Sequence, residues 1–286
     1  MFPLVARSLT RGCLGFVRAS YEALTSGRLE YHLKTEFPQK HLKLHDSNYK
    51  YTFSGNSWLL DFKNDSYDLD HDGKHVQLVA SRQFDGTIHR SAHIDLPKRP
   101  DEDLPCPPFF AGSFWEKCTA DFVRRNAAKA QIASENGGGI IIELEVPASE
   151  LFAAFRSVSR DRLGHPGLLR LHVAPKFGYC LTRIEQICLI DSKKMAYKQF
   201  EASDFHRYPN DVWVPWKFSC SQYDDAGKVN FQVNYSILSA DLINAKIPNT
   251  EFRVVLPGGT NFIDARNPGE RDSRPHSLIH QLLFAD

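Results

Sequence analysis

The stretch "YDLDHDGKHVQL", residues 67–78, begins like a calcium-binding loop: Asp68, Asp70 and Asp72 alternate, and Gly73 follows. A calcium loop counted from Asp68 needs a bidentate carboxylate at its last position, and that position is Val79. A helix should come next, yet "KHVQLVAS" is strand-like. The stretch therefore reads as a β-hairpin with Asp72-Gly73 at the corner, since Asp-Gly between alternating runs suits the tight turn between paired strands.

The same signals extend outward. In "RLEYHLKTEF", Leu29, Tyr31, Leu33, Thr35 and Phe37 alternate with Glu30, His32, Lys34 and Glu36, which predicts a strand with one wet face. "YKYTFSGNSWLLDF" predicts two strands around Gly55-Asn56, and Asp85-Gly86 marks another turn. Residues 28–96 thus form an antiparallel meander. "PKRPDEDLPCPPFF" (97–110) is a crossing loop. Ser113 and Glu116 form a capping box, which predicts a helix from about Phe114 to Ser134, ended by Gly137-Gly138-Gly139. A phosphate-cradling role for those glycines is disfavoured, because phosphate loops open helices and a strand follows here. "ASELFAAFRSV" predicts a short helix. Strands follow at "LLRLHVAP", "GYCLTRIEQICLID", "MAYKQFEASDFHRY", "VWVPWKFSCSQY", "KVNFQVNYSIL", "FRVVLP" and "NFIDA".

These readings predict a mainly β (α+β) chain: one antiparallel sheet of about ten strands with two or three helices on one side. The predicted organisation is an N-terminal helix over 1–27, a single domain over 28–266 and a polar tail over 267–286. Leu9, Cys13, Phe16, Val17 and Leu24 share a helical face in the first segment, while Arg7, Arg11 and Arg18 interrupt the apolar run a secretory signal needs. A presequence of mitochondrial type, or a start further upstream, are the alternatives there.

The chain has 286 residues and a net charge of +1. That balance, with no basic stripe, argues against nucleic acid as a partner. No run approaches the ~20 apolar residues of a transmembrane helix. Six cysteines show neither zinc spacing nor a disulfide framework, so they read as buried thiols.

Candidate chemistry lacks partners. His71 and His75, like His89 and His93, share strand faces, but residues four apart on a strand stand ~13 Å apart, too far for one ion. Asp70, Asp72 and Asp95 lie near them in sequence. Cys180 sits mid-strand, where core packing is the ordinary role. Glu143 and Glu145 share a face without a second acid–base partner. The expectation is no catalytic residue, no metal and no cofactor. The late strands carry instead a high density of aromatics, among 20 phenylalanines in all. Trp216, Phe218, Phe231 and Tyr235 are the candidate lining of an apolar pocket, with Trp213 set on the opposite face by strand parity. Ordinary core packing is the competing reading.

A wider pattern joins these stretches. "LRLHVAPKFGYCLTRIEQ", "VWVPWKF" and "NAKIPNTEFRVVLPGGTNFIDAR", preceded by "SYEALTSGRLEYHLKTEF", occur in the order Gly-Tyr entering a strand, W-x-P, Ile-Pro-x-x-x-Phe, Pro-Gly-Gly-Thr and Asp. Over most of residues 19–266 this resembles planctomycete-type envelope proteins of the outer-membrane lipoprotein-sorting and carrier-like group (LolA/LolB/RseB-like). The resemblance implies an unclosed β half-barrel whose concave apolar face is partly covered by helices and holds a lipid or a lipoprotein acyl chain. It also implies the periplasm or cell envelope as the location. A structural or protein-interaction module with a filled core is the alternative, and an enzyme with a site built from dispersed residues a more distant one.

Overall fold

The computed structural model describes residues 23–55, 57–62, 66–71, 74–82, 88–95, 125–126, 129–135, 137–147, 166–190, 193–224, 226–252, 260–264 and 271–272. Residues 1–22 of the helix predicted over 1–27, the helix over 148–158, most of the one over 114–134, and most of the strand at "FRVVLP" lie outside these residues; the end of the first prediction is corrected, since Ser26 and Gly27 open strand β1 (Ser26–Phe37). The described part is mainly β, antiparallel and unclosed. It contains fifteen strands. Several are short, such as β15 (Arg271–Asp272), which pairs with β14 (Asn261–Asp264) from within the segment read as a tail.

The chain divides into two compact units, each assembled from separate stretches of sequence. Unit 2 comprises Thr25–Tyr31, Ser47–Cys106 and Ser239–Asp286. It carries the meander β3 (Ser57–Phe62), β4 (Ser66–His71), β5 (Lys74–Arg82) and β6 (Ile88–Asp95). His71 pairs with Lys74, which leaves two residues, Asp72 and Gly73, to turn the hairpin. Ser54 of β2 (Leu42–Ser54) pairs with Ser57 across Gly55-Asn56 in the same way. One pairing departs from the antiparallel rule: β14 runs parallel to β6. Tyr51, Phe53, Trp58 and Leu60 are buried in this unit, and Ile247 and Phe252 of the Ile-Pro-x-x-x-Phe segment join them.

Unit 1 comprises Met1–Leu24, His32–Asp46 and Pro107–Leu238. Its strands are β7 (Ala130–Glu135), β8 (Gly139–Pro147), β9 (Pro166–Ala174), β10 (Cys180–Ile190), β11 (Lys193–Tyr208), β12 (Val212–Tyr223) and β13 (Val229–Asp241), each hydrogen-bonded to the next, with β7 at the edge. The last strand of the series passes beside β1 (Ser26–Phe37). Between β12 and β13 the chain turns on Asp224, whose Oδ1 accepts the N–H groups of Ala226 and Lys228.

The C-terminal end of the helix predicted over 114–134 is corrected. Residues 130–135 form strand β7, paired with β8 from Ala130↔Leu144 to Glu135↔Gly139. The glycines thought to stop a helix turn a hairpin instead. Gly137 and Gly138 have φ of +92° and +85°, a conformation that glycine adopts without steric penalty. "AQIASE" is short enough to satisfy either period, and pairing with the strongly apolar β8 decides it.

Candidate functional site

Strand register sorts unit 1 into two faces, because directly paired residues share a face and neighbours along a strand alternate. One face is apolar. A first row across it reads Ile142, Leu171, Ile184, Phe200, Cys220 and Val233. One step along the strands, Ala202 pairs with Phe218 and Phe218 with Tyr235. Ile142, Leu171, Ile184, Phe200, Ala202, Phe218 and Cys220 are all buried.

The four aromatics expected to line a pocket fall on this same face by parity. Phe218 is 3% exposed and meets the Tyr235 ring edge-on at 6.4 Å. Phe231 packs against Phe37 at 5.3 Å. Trp216 stacks on His206 at 4.2 Å and donates its indole N–H to the Tyr208 hydroxyl at 3.2 Å. Trp213 is on the opposite face, opposite Arg207 and against Phe177. Exposure divides the face. Phe218 and Cys220 of β12 are buried, whereas their partners Tyr235 and Val233, with Phe231 further along β13, are half-exposed. The apolar surface thus opens along β13.

A second row on this face is polar, and the sequence reading missed it. Leu144, Leu169, Gln186, Lys198, Gln222 and Phe231 pair in succession across β8 to β13. Gln186 is 0% exposed, and neither its Oε1 nor its Nε2 has a hydrogen-bond partner. Lys198, directly opposite, is 6% exposed and holds its ammonium over the Phe200 ring at 5.3 Å. Burial lowers the Lys198 pKa from its ordinary value, against the opposing influence of Cys220. Burial pushes the Cys220 thiol up to about 11, with Lys198 pulling the other way. The signal was parity: Gln186 lies between Ile184 and Cys188 on one face, and Lys198 two residues before Phe200.

The other face is charged. Arg170 Nε donates to Glu143 at 2.6 Å, and its Nη1 reaches Glu185 at 3.3 Å. Arg183 Nη2 donates to Glu185 at 2.7 Å and to Gln199 at 2.9 Å. His172 stands between Glu135 and Glu185, each at 3.1 Å, so a ring protonated on both nitrogens donates to both. Burial alone would raise the Glu185 pKa. The hydrogen bond from His172 and the charges of Arg183 and Arg170 outweigh it, and the carboxylate sits below its ordinary range. An open groove of about 510 Å³ lies on this face, lined by Glu135, His172, Arg183, Glu201, Lys217 and Asn234 among others. Phe218 and Tyr235 also border it. The groove is polar and unsuited to an acyl chain. Glu143 is thus an ion-pair partner of Arg170, and Glu145 is exposed.

Cys180, Cys188 and Cys220 are buried thiols outside any disulfide. Among the described residues no group of three His, Cys, Asp or Glu is placed to hold a metal ion, and no helix is long and apolar enough to cross a membrane. His71, His75, His89, His93 and Asp95 lie in paired strands.

No family model matches the chain, and no curated protein matches it. Several solved structures are similar in fold. A LolA superfamily protein from Nitrosomonas europaea aligns with a TM-score of 0.46 at 10% identity, over 85% of this chain and 97% of that one. A DUF1329 family protein from Desulfovibrio piger gives 0.41 at 8% identity, over 85% and 97%. The lipoprotein LppX of Mycobacterium tuberculosis gives 0.30 at 10% identity, over 83% and 98%. Values this low leave the function to be read from the chain's own residues.

Proposed function

We propose that the protein is a non-catalytic binder of a lipid or acyl chain, acting as carrier or sensor in the cell envelope, with the chain laid on the apolar face beside β13. One observation carries this reading: Phe231, Val233 and Tyr235 of β13 are half-exposed beside Phe218 and Cys220 of β12, which are buried. An apolar ligand that covers such a row removes it from water and gains about 25 cal/mol for each Å² buried. Trp216, Phe218, Phe231 and Tyr235 are its proposed contacts. The resemblance of residues 19–266 to lipoprotein-sorting and carrier-like proteins supports the same reading, and supplies the envelope location.

The test is titration with a fluorescent fatty acid, comparing the native chain with Val233→Asp. Val233 is half-exposed, so the aspartate reaches water and the fold survives. Saturable binding by the native chain, weakened about tenfold or more in the variant, is the expected result. Equal affinities would remove β13 from the site, and no saturable binding by either protein would leave the structural-module reading.

A further inference from the structure

We propose that the charged face of unit 1 carries a second binding site, for a neutral oligosaccharide, in the open groove that crosses β9 to β13. The site lies on the face away from the proposed lipid contacts and does not depend on that reading. Paired residues form its floor. His172, Arg183, Glu201, Ser219 and Asn234 pair in succession from β9 to β13, and Ser203, Lys217 and Ser236 form the next row. Strands ~4.8 Å apart make the first row ~19 Å long, and the groove holds about 510 Å³. An open trough of that length takes an extended chain of rings more readily than a single small molecule. A peptide is a poorer fit. It would need a free strand edge or apolar pockets for its side chains, and this groove crosses paired strands on a polar floor.

The charges of the groove are already matched. Arg183 donates to Glu185 and Gln199, and its Nε stands 3.7 Å from Glu201. Lys217 faces Asp204 at 3.4 Å, and His172 lies between Glu135 and Glu185. An added anion or cation would compete with these pairs, which disfavours a charged ligand. What the floor offers beyond them is hydroxyl and amide groups. Among the described residues, no hydrogen bond engages the side chains of Ser203, Ser219, Asn234 or Ser236. A hydroxyl or a carboxamide both donates and accepts, and so does each hydroxyl of a sugar. Sugar rings also have apolar C–H faces, which suit an aromatic surface. One stands at the end of the groove. Trp213 shares its strand face with Lys217, and Phe205 shares its own with Ser203. Phe177 stacks on Phe205 at 4.5 Å and packs against Trp213 at 5.3 Å. All three residues are half-exposed. Phe205 lies ~7 Å along β11 from Ser203, so a chain seated on the polar floor reaches it.

The experiment is isothermal titration calorimetry of the native chain, Ser219→Phe and Phe205→Ala with cellotetraose, chitotetraose and maltotetraose, and with the peptide Ala-Lys-Glu-Ala. Ser219→Phe fills the floor of the groove from a half-exposed position, and Phe205→Ala removes part of the aromatic surface. Thermal melts report whether each variant is folded, and the milder Asn234→Ala replaces either one that is not. The proposal expects saturable binding of at least one tetrasaccharide by the native chain, weakened about tenfold or more by the first two substitutions and severalfold by Asn234→Ala. It expects no saturable binding of the peptide. Failure of the native chain to bind any of the three sugars, affinities unchanged in the folded variants, or tighter binding of the peptide than of any sugar would overturn it.

Discussion

Glu185 joins two strands through one carboxylate. It accepts from Arg183 on its own strand and from Arg170 and His172 on β9, and those residues carry Glu143 and Glu135 of the next strands with them. Its side chain is only 8% exposed, so the ion pairs are less screened than surface ones. Removing the charge alone, by Glu185→Gln, strands two guanidinium groups and an imidazole around a neutral amide. Urea unfolding at neutral pH should show a loss of about 2–3 kcal/mol. The pH dependence has a definite sign. The folded-state pKa lies below the ordinary 4.5, so the contribution is complete above that value and is lost as pH falls through the folded pKa. The native and variant stabilities should converge under acid; a gap that stayed constant into acid would show that shape, not charge, sets the loss. Little of this network was legible in the sequence. Glu143 and Glu145 stood out as a pair because they share a strand face. The partner of Glu143 comes from the following strand, and only register brings Arg170 opposite it.

At the scale of elements, alternation carried most of the reading. The hairpins at Gly55-Asn56 and Asp72-Gly73 follow from turn chemistry between period-two runs, and the pairings that flank them agree. Parity alone placed Trp213 apart from Trp216 and Phe218. The failure at residues 130–135 has a physical cause: a capping signal at Ser113 starts a helix but does not say how far it runs, and a six-residue strand beside an apolar partner overrides weak helical preference. The Gly-Tyr and W-x-P motifs also gain an explanation. Gly178 has φ of +64°, and a Cβ there would meet Trp213 Cδ1 at 3.1 Å. The turn before β10 is thus fitted to the tryptophan that opens β12. Gly178→Ala combines left-handed backbone with a crowded side chain and should lower stability by about 1–2 kcal/mol, measured by chemical denaturation. A neutral effect would mean that the indole moves aside at no cost and that the two motifs are independent.

For the molecule as a whole, the absence of a βαβ rhythm pointed away from a parallel sheet, and the described strands pair mainly antiparallel. The two-faced character of unit 1 was visible strand by strand. The polar row of Gln186, Lys198 and Gln222 was not, because a glutamine or lysine in a strand reads as a water-facing residue until register shows it level with leucine and phenylalanine. The apolar face half-open along β13 is the basis for the proposal of a long apolar ligand. The most direct test is native mass spectrometry of the freshly purified protein, followed by solvent extraction of whatever it carries. The account predicts a species heavier than the bare chain by the mass of a single long-chain lipid, which extraction removes and added long-chain fatty acid restores at one per chain. A folded protein that shows only its bare mass, before and after fatty acid is added, would contradict it.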